Sequence, residues 1–111
     1  MRQALGGRRA RAAVLAASLL ALPARAQGPQ GFAPEQVEAG AEIYARNCSP
    51  CHGPHMLDPQ SAFNLRSFPH DQHDRFVTSV TRGKNQMPPW GDVLKPADIE
   101  ALWAYVAGGE R

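Results

Sequence analysis

The chain has 111 residues and a mass of 12.0 kDa, which is room for one small domain and too little for a multidomain enzyme. Its 43% hydrophobic and 20% charged residues are ordinary for a globular protein. The net charge of +2 belongs to the N-terminus: residues 1–26 carry Arg2, Arg8, Arg9, Arg11 and Arg25 and no acid, leaving 7 basic against 10 acidic residues beyond them, a net of −3. That balance disfavours nucleic acid or an anionic membrane as a partner and favours a basic or mixed protein surface.

The first segment runs from arginines ending at Arg11, through the uncharged, mostly apolar stretch Ala12 to Leu22, to Pro23 and Ala24-Arg25-Ala26. This is the pattern of a secretory signal peptide with an A-x-A cleavage site after Ala26. An apolar run of 11 residues falls well short of the roughly 20 that span a bilayer, so cleavage is expected rather than anchoring. The expected mature chain is Gln27 to Arg111, exported and without a membrane span. An exported domain of 85 residues (111 less 26) generally requires a disulfide, a metal or another cross-link.

Residues 27–33 (QGPQGFA) read as a flexible arm, and residues 34–111 as the folded domain. A first helix is predicted from Pro34, with Glu35 and Glu38 near its positive end. Val37, Gly40, Ala41, Tyr44 and Cys48 share one face, which points to the core. From Pro54 to Pro69 three prolines and no long periodicity predict an irregular loop that packs Met56, Leu57, Phe63, Leu65 and Phe68 inward. Asp71 to Thr81 predicts a short second helix on Phe76, Val77 and Val80, stopped by Arg82-Gly83. Lys84 to Val93 holds Met87-Pro88-Pro89-Trp90-Gly91, which excludes helix and central strand. A last helix starts at Pro96, behind the poor N-cap Lys95, with Ile99, Leu102, Trp103 and Val106 on one stripe and Gly108-Gly109 as its stop. No strand pattern or repeat is present, so the fold class is all-α with long loops.

Cys48-Ser49-Pro50-Cys51-His52 is C-x-x-C-H, the attachment signature of a c-type haem. Two thiols can add to the two haem vinyl groups, and the imidazole next to them can reach the iron from one face. Three rival readings explain less. A thiol-disulfide oxidoreductase places C-x-x-C at a helix start after a strand, and no strand precedes Cys48. Zinc needs four ligands, and His55, His70 and His73 form no second paired cluster. A plain disulfide leaves His52 unexplained.

The iron has a second axial position. Met56 is four residues from His52, too short a tether to round the porphyrin edge. Met87 lies 35 residues downstream of His52 in a loop stiffened by Pro88 and Pro89 and is the expected sulfur ligand. His70 and His73 are the competitors, and would give a bis-histidine site of lower potential. His/Met ligation fills the iron, raises its potential and directs the site to electron transfer. The alternative is a haem gas sensor or peroxidase-like protein with an open distal site.

At these residues the chain resembles the small bacterial class I cytochromes c, from about Pro34 to Val106. The resemblance implies that fold: three or more short helices and long loops wrapped around one covalent haem c, in a periplasmic electron carrier rather than an enzyme. Gly40 and Tyr44 are similar to the family's first-helix pair at a close crossing with the last helix, with Leu102 and Tyr105 as partners. Asn64-Leu65 is similar to the pair that follows a family proline, whose carbonyl holds the proximal histidine; here Phe63 occupies that place. Leu65 and Phe76 are implied haem-wall residues, Trp90 a cover beside Met87, and an apolar cleft is expected between Cys51, Leu65 and Met87. The run from Arg75 to Val106 resembles periplasmic cytochromes that serve a quinoprotein alcohol dehydrogenase or a terminal oxidase.

Overall fold

The computed structural model describes residues 6–7, 12–20 and 31–110. The expected cleavage site near Ala26 and most of the arm at 27–33 lie outside the described residues. Four helices follow in order: α1 Pro34–Asn47, α2 Ser49–His52, α3 His73–Arg82 and α4 Pro96–Gly108. Two single 3-10 turns, Pro54–Met56 and Leu65–Ser67, punctuate the long connection between α2 and α3. No strand occurs among the described residues, where the only ladder contact is the isolated bridge between Lys84 and Met87. None of the described helices is long and apolar enough to cross a membrane.

Helix α1 begins as its sequence requires. Pro34 occupies the first turn, Glu35 sits near the positive end and Arg46 near the negative end. Gly40, Ile43 and Tyr44 are its buried residues, while Val37, Ala41 and Cys48 pack partly buried against the same core. The crossing with α4 is a backbone contact. A Cβ at Gly40 would collide with the carbonyl oxygen of Ala101 and stand 2.9 Å from Cβ of Tyr105. One turn on, the Tyr44 and Tyr105 rings meet at 5.1 Å, tilted by 49°. Tyr105 is the expected partner, but the closest atom opposite Gly40 belongs to Ala101 and not to Leu102. Leu102 is instead one of the most deeply buried side chains of the core.

Helix α4 departs from the single stripe that its periodicity predicts. Every residue from Ala101 to Gly108 is buried, because α1 covers one side while α3 and the turn at Leu65–Ser67 contact others. Its poor N-cap is compensated at the third helical position: the Lys95 backbone N–H donates to Asp98 Oδ2 at 2.9 Å. Helix α3 starts two residues later than predicted, at His73, since Gln72 has non-helical backbone angles. Gly83, at φ 77°, ends it.

The connection from Pro54 to Pro69 corrects one expectation. Met56 and Phe68 are buried, but Leu57 and Phe63 are each 49% exposed, so the loop does not pack all of its apolar residues inward. Asn64 caps the second 3-10 turn by accepting from the Arg66 N–H at 3.1 Å, and the Phe63 ring stays at the edge of the core against Phe68.

Candidate haem site

Cys48 is both the end of α1 and the start of α2, with φ −106° and ψ −34°. The two helices are therefore nearly continuous, and Ser49 Oγ stitches the junction by donating to the Ala45 carbonyl at 2.7 Å. The spacing of Cys48 and Cys51 is one helical turn, which sets both thiols on the same side of α2. Both are free of any disulfide; Cys48 is half-buried and Cys51 is exposed. Burial, with Cys51 beside it, pushes the Cys48 thiol up to about 11. A thiol-disulfide oxidoreductase needs the opposite, a depressed thiol that ionises near neutral pH.

His52 ends α2, and Gly53 at φ 85° turns the chain away. The imidazole is not left to rotate. Its Nδ1 lies 3.0 Å from the carbonyl oxygen of Phe63. A carbonyl can only accept, so Nδ1 carries the proton and Nε2 presents its lone pair to a ligand site. Hydrogen bonding of this kind orients a metal-binding histidine and raises its basicity. Phe63 thus supplies the carbonyl that the resemblance assigns to a proline. Any residue has a backbone carbonyl, so the contact with His52 does not require a proline at position 63.

The Met87 loop is fixed by its backbone. Lys84 and Met87 exchange N–H to carbonyl bonds of 3.1 and 3.0 Å. Trp90 N–H donates to the Val80 carbonyl at 2.9 Å and Gly91 N–H to the Thr81 carbonyl at 3.1 Å, so the loop caps the C-terminal carbonyls of α3. Met87 itself is half-buried. Leu65 and Trp90 are partly buried against the core, whereas Phe76 lies within it, its ring 5.8 Å from Phe68 and 5.3 Å from Trp103. Cavities of about 130 and 190 Å³ lie beside α4; neither is lined by Cys51, Leu65 or Met87.

Of the competing histidines, His73 is committed to carboxylates. No group of three or more His, Cys, Asp or Glu side chains is placed to hold a metal ion among the described residues. His73 has both ring nitrogens engaged: Nε2 with the two Glu100 carboxylate oxygens, each at 2.9 Å, and Nδ1 with Asp74 at 3.1 Å. His55 Nδ1 lies 2.7 Å from Glu110, which also accepts from the Tyr105 hydroxyl at 3.0 Å. Sequence reasoning missed this C-terminal cluster and the Arg66 side chain that joins it, donating from Nε and Nη2 to the His55 carbonyl at 3.0 and 2.8 Å. Nothing in the periodicity of Arg66 or Glu110 marks them, because one lies in a single 3-10 turn and the other beyond the end of α4.

The donor set therefore suits a covalently held haem: paired free thiols, an oriented imidazole with Nε2 free, and a thioether in a stitched loop. Comparison with known proteins decides the family. Residues 35–106 match the family described as cytochrome c oxidase, cbb3-type, subunit III. The chain belongs to the cytochrome c family. Cytochrome c6 of Nostoc sp. is 35% identical over 74 residues, covering 62% of this chain and 67% of the relative. The quinohemoprotein alcohol dehydrogenase ADH IIB of Pseudomonas putida is 34% identical over 89 residues, 78% of this chain, but the chain spans only 13% of that relative's length. The solved quinohemoprotein alcohol dehydrogenase ADHIIG of Pseudomonas putida HK5 superposes with a TM-score of 0.62 at 25% identity, over 78% of this chain and 13% of that one. The architecture is the all-α cytochrome c fold. Cytochromes c carry one covalent haem c in electron transfer, and this chain has the two cysteines that attachment uses.

Proposed function

We propose that the protein is an exported, periplasmic single-electron carrier, with residues 1–26 removed as a leader, 27–33 as an arm and 34–111 as the cytochrome domain. Cys48 and Cys51 would hold the haem through thioether bonds, His52 Nε2 and Met87 would be the iron's ligands, and Leu65, Phe76 and Trp90 would pack against the group. The observation that carries this reading is the 3.0 Å contact of His52 Nδ1 with the Phe63 carbonyl, which leaves Nε2 as the donor beside two free thiols.

When bound, the haem supplies a one-electron iron couple. The chain's own residues set the conditions for it. His52 is held in one tautomer and one orientation by Phe63. Met87 is held by two backbone bonds to Lys84 and by the loop's attachment to α3. If His52 and Met87 both bound the iron, no position would remain for substrate, and the group would supply outer-sphere electron transfer. A quinoprotein alcohol dehydrogenase as donor and a terminal oxidase as acceptor are supported by the alcohol dehydrogenase relative and by the oxidase family that matches.

The test is ligand access. The reduced native holoprotein at neutral pH is expected to leave carbon monoxide unbound; ready binding would replace the carrier by a sensor or peroxidase-like protein with an open site.

A further inference from the structure

The residue whose carbonyl orients His52 has no place of its own in the core. Phe63 is 49% exposed and belongs to no helix, yet its peptide must keep one orientation for the 3.0 Å bond to persist. On the far side of that peptide Asn64 is fixed at φ −73° by its capping bond to Arg66. On the near side the Ala62 N–H donates to the Pro59 carbonyl at 2.9 Å, and Phe63 itself is held through its ring.

Two side chains hold that ring. Phe68 meets it edge-on, centroids 5.9 Å apart at 73°, and is itself anchored by Phe76 at 5.8 Å and Trp103 at 6.1 Å. The Arg75 guanidinium lies over both rings, 5.0 Å from the Phe68 centroid and 5.9 Å from that of Phe63. Arg75 is aimed from α3 by the bond of its Nη1 to Gln72 Oε1 at 2.7 Å.

We propose that Arg75 and Phe68 clamp the Phe63 ring and so act as positioning residues for the His52 imidazole. A proline at position 63 would fix the backbone angle covalently; a phenylalanine does not, so here packing from α3 does the holding. Loosening the clamp weakens the Nδ1–H to carbonyl bond, makes Nε2 a poorer donor and stabilises reduced iron. The inference rests on the reading of His52 as haem ligand.

The experiment uses the holoprotein as wild type, Arg75→Ala, Arg75→Lys, Phe63→Pro and the double variants Phe63→Pro/Arg75→Ala and Phe63→Pro/Arg75→Lys. Proton NMR of the reduced form gives the solvent-exchange rate of the His52 ring N–H, and voltammetry gives the potential. Arg75→Ala is expected to speed exchange about fourfold, as loss of a cation–π contact would, and Arg75→Lys by less. Because Arg75→Lys keeps the charge, its potential is expected to rise through His52 alone. In the Phe63→Pro background Arg75→Ala is expected to leave the exchange rate unchanged, and Arg75→Lys to leave the potential unchanged. Exchange as slow in Arg75→Ala and Arg75→Lys as in wild type overturns the clamp, as does equal acceleration in the proline background. Protein that takes up no haem in any variant overturns the haem reading itself, and the clamp with it.

Discussion

The hydroxyl of Tyr44 donates to the carbonyl oxygen of Gly53 at 2.7 Å, joining the last turn of α1 to the residue that follows His52. Both residues are buried, and burial pushes the phenol up to about 12, so the donor stays protonated across the working range. Tyr44→Phe removes the donor and leaves the Gly53 carbonyl buried without it. The expected cost is about 1–2 kcal/mol of unfolding free energy, read from the midpoint of denaturant titration of the holoprotein. The fold should survive, since the ring contact with Tyr105 is kept.

Gly40→Ala tests the crossing of α1 and α4. The added methyl would meet the Ala101 carbonyl, which is backbone and cannot swing aside, together with Tyr105 Cβ. The two helices must separate, at a cost of about 2–3 kcal/mol. An unchanged thermal midpoint would show that the helices meet elsewhere.

Much of this was legible in the sequence for identifiable reasons. Pro34 and Pro96 mark the starts of α1 and α4, and Gly83 marks the stop of α3, because proline fixes φ and glycine admits positive φ. C-x-x-C-H is legible because its chemistry demands fixed spacing. The short helix α2 that carries the motif was not predicted: a single turn has no periodicity to read. The all-round burial of α4 was also hidden, since alanine and glycine fill its other faces without raising an apolar stripe. Phe63 could be placed only by analogy, because the bond to His52 uses its carbonyl and leaves no trace in side-chain identity. The sequence marks His73 only as a competing iron ligand, and its partner Glu100 lies on another helix, beyond the reach of any local pattern.

The His73–Glu100 contact predicts a pH dependence. Hydrogen bonding to Glu100 raises the folded-state pKa of His73 above its ordinary value of 6.5. A raised pKa means that folding favours the protonated form, so the stabilisation is fully present below about pH 6.5 and is lost as pH rises through the folded-state value. His73 is partly exposed, and the effect is correspondingly modest. Chemical unfolding of the holoprotein at several pH values should show this decline, and Glu100→Gln should flatten it. A slope unchanged by Glu100→Gln would remove the contact from the account.

Met87→Ala should abolish the weak far-red absorption of a sulfur-to-iron bond, lower the reduction potential and open the reduced protein to carbon monoxide. The loop should persist, because Lys84 and Met87 pair through backbone atoms that alanine retains. A variant with the native spectrum would move the distal ligand to a histidine.

The most direct measurement is the mass and absorption spectrum of the protein purified from a bacterium competent in cytochrome maturation, before and after unfolding in acid. The account predicts a red protein whose intact mass equals the processed chain plus one haem, with the haem retained after unfolding and attachment abolished in Cys48→Ala/Cys51→Ala. A colourless chain, or a haem that washes away on unfolding, would contradict it.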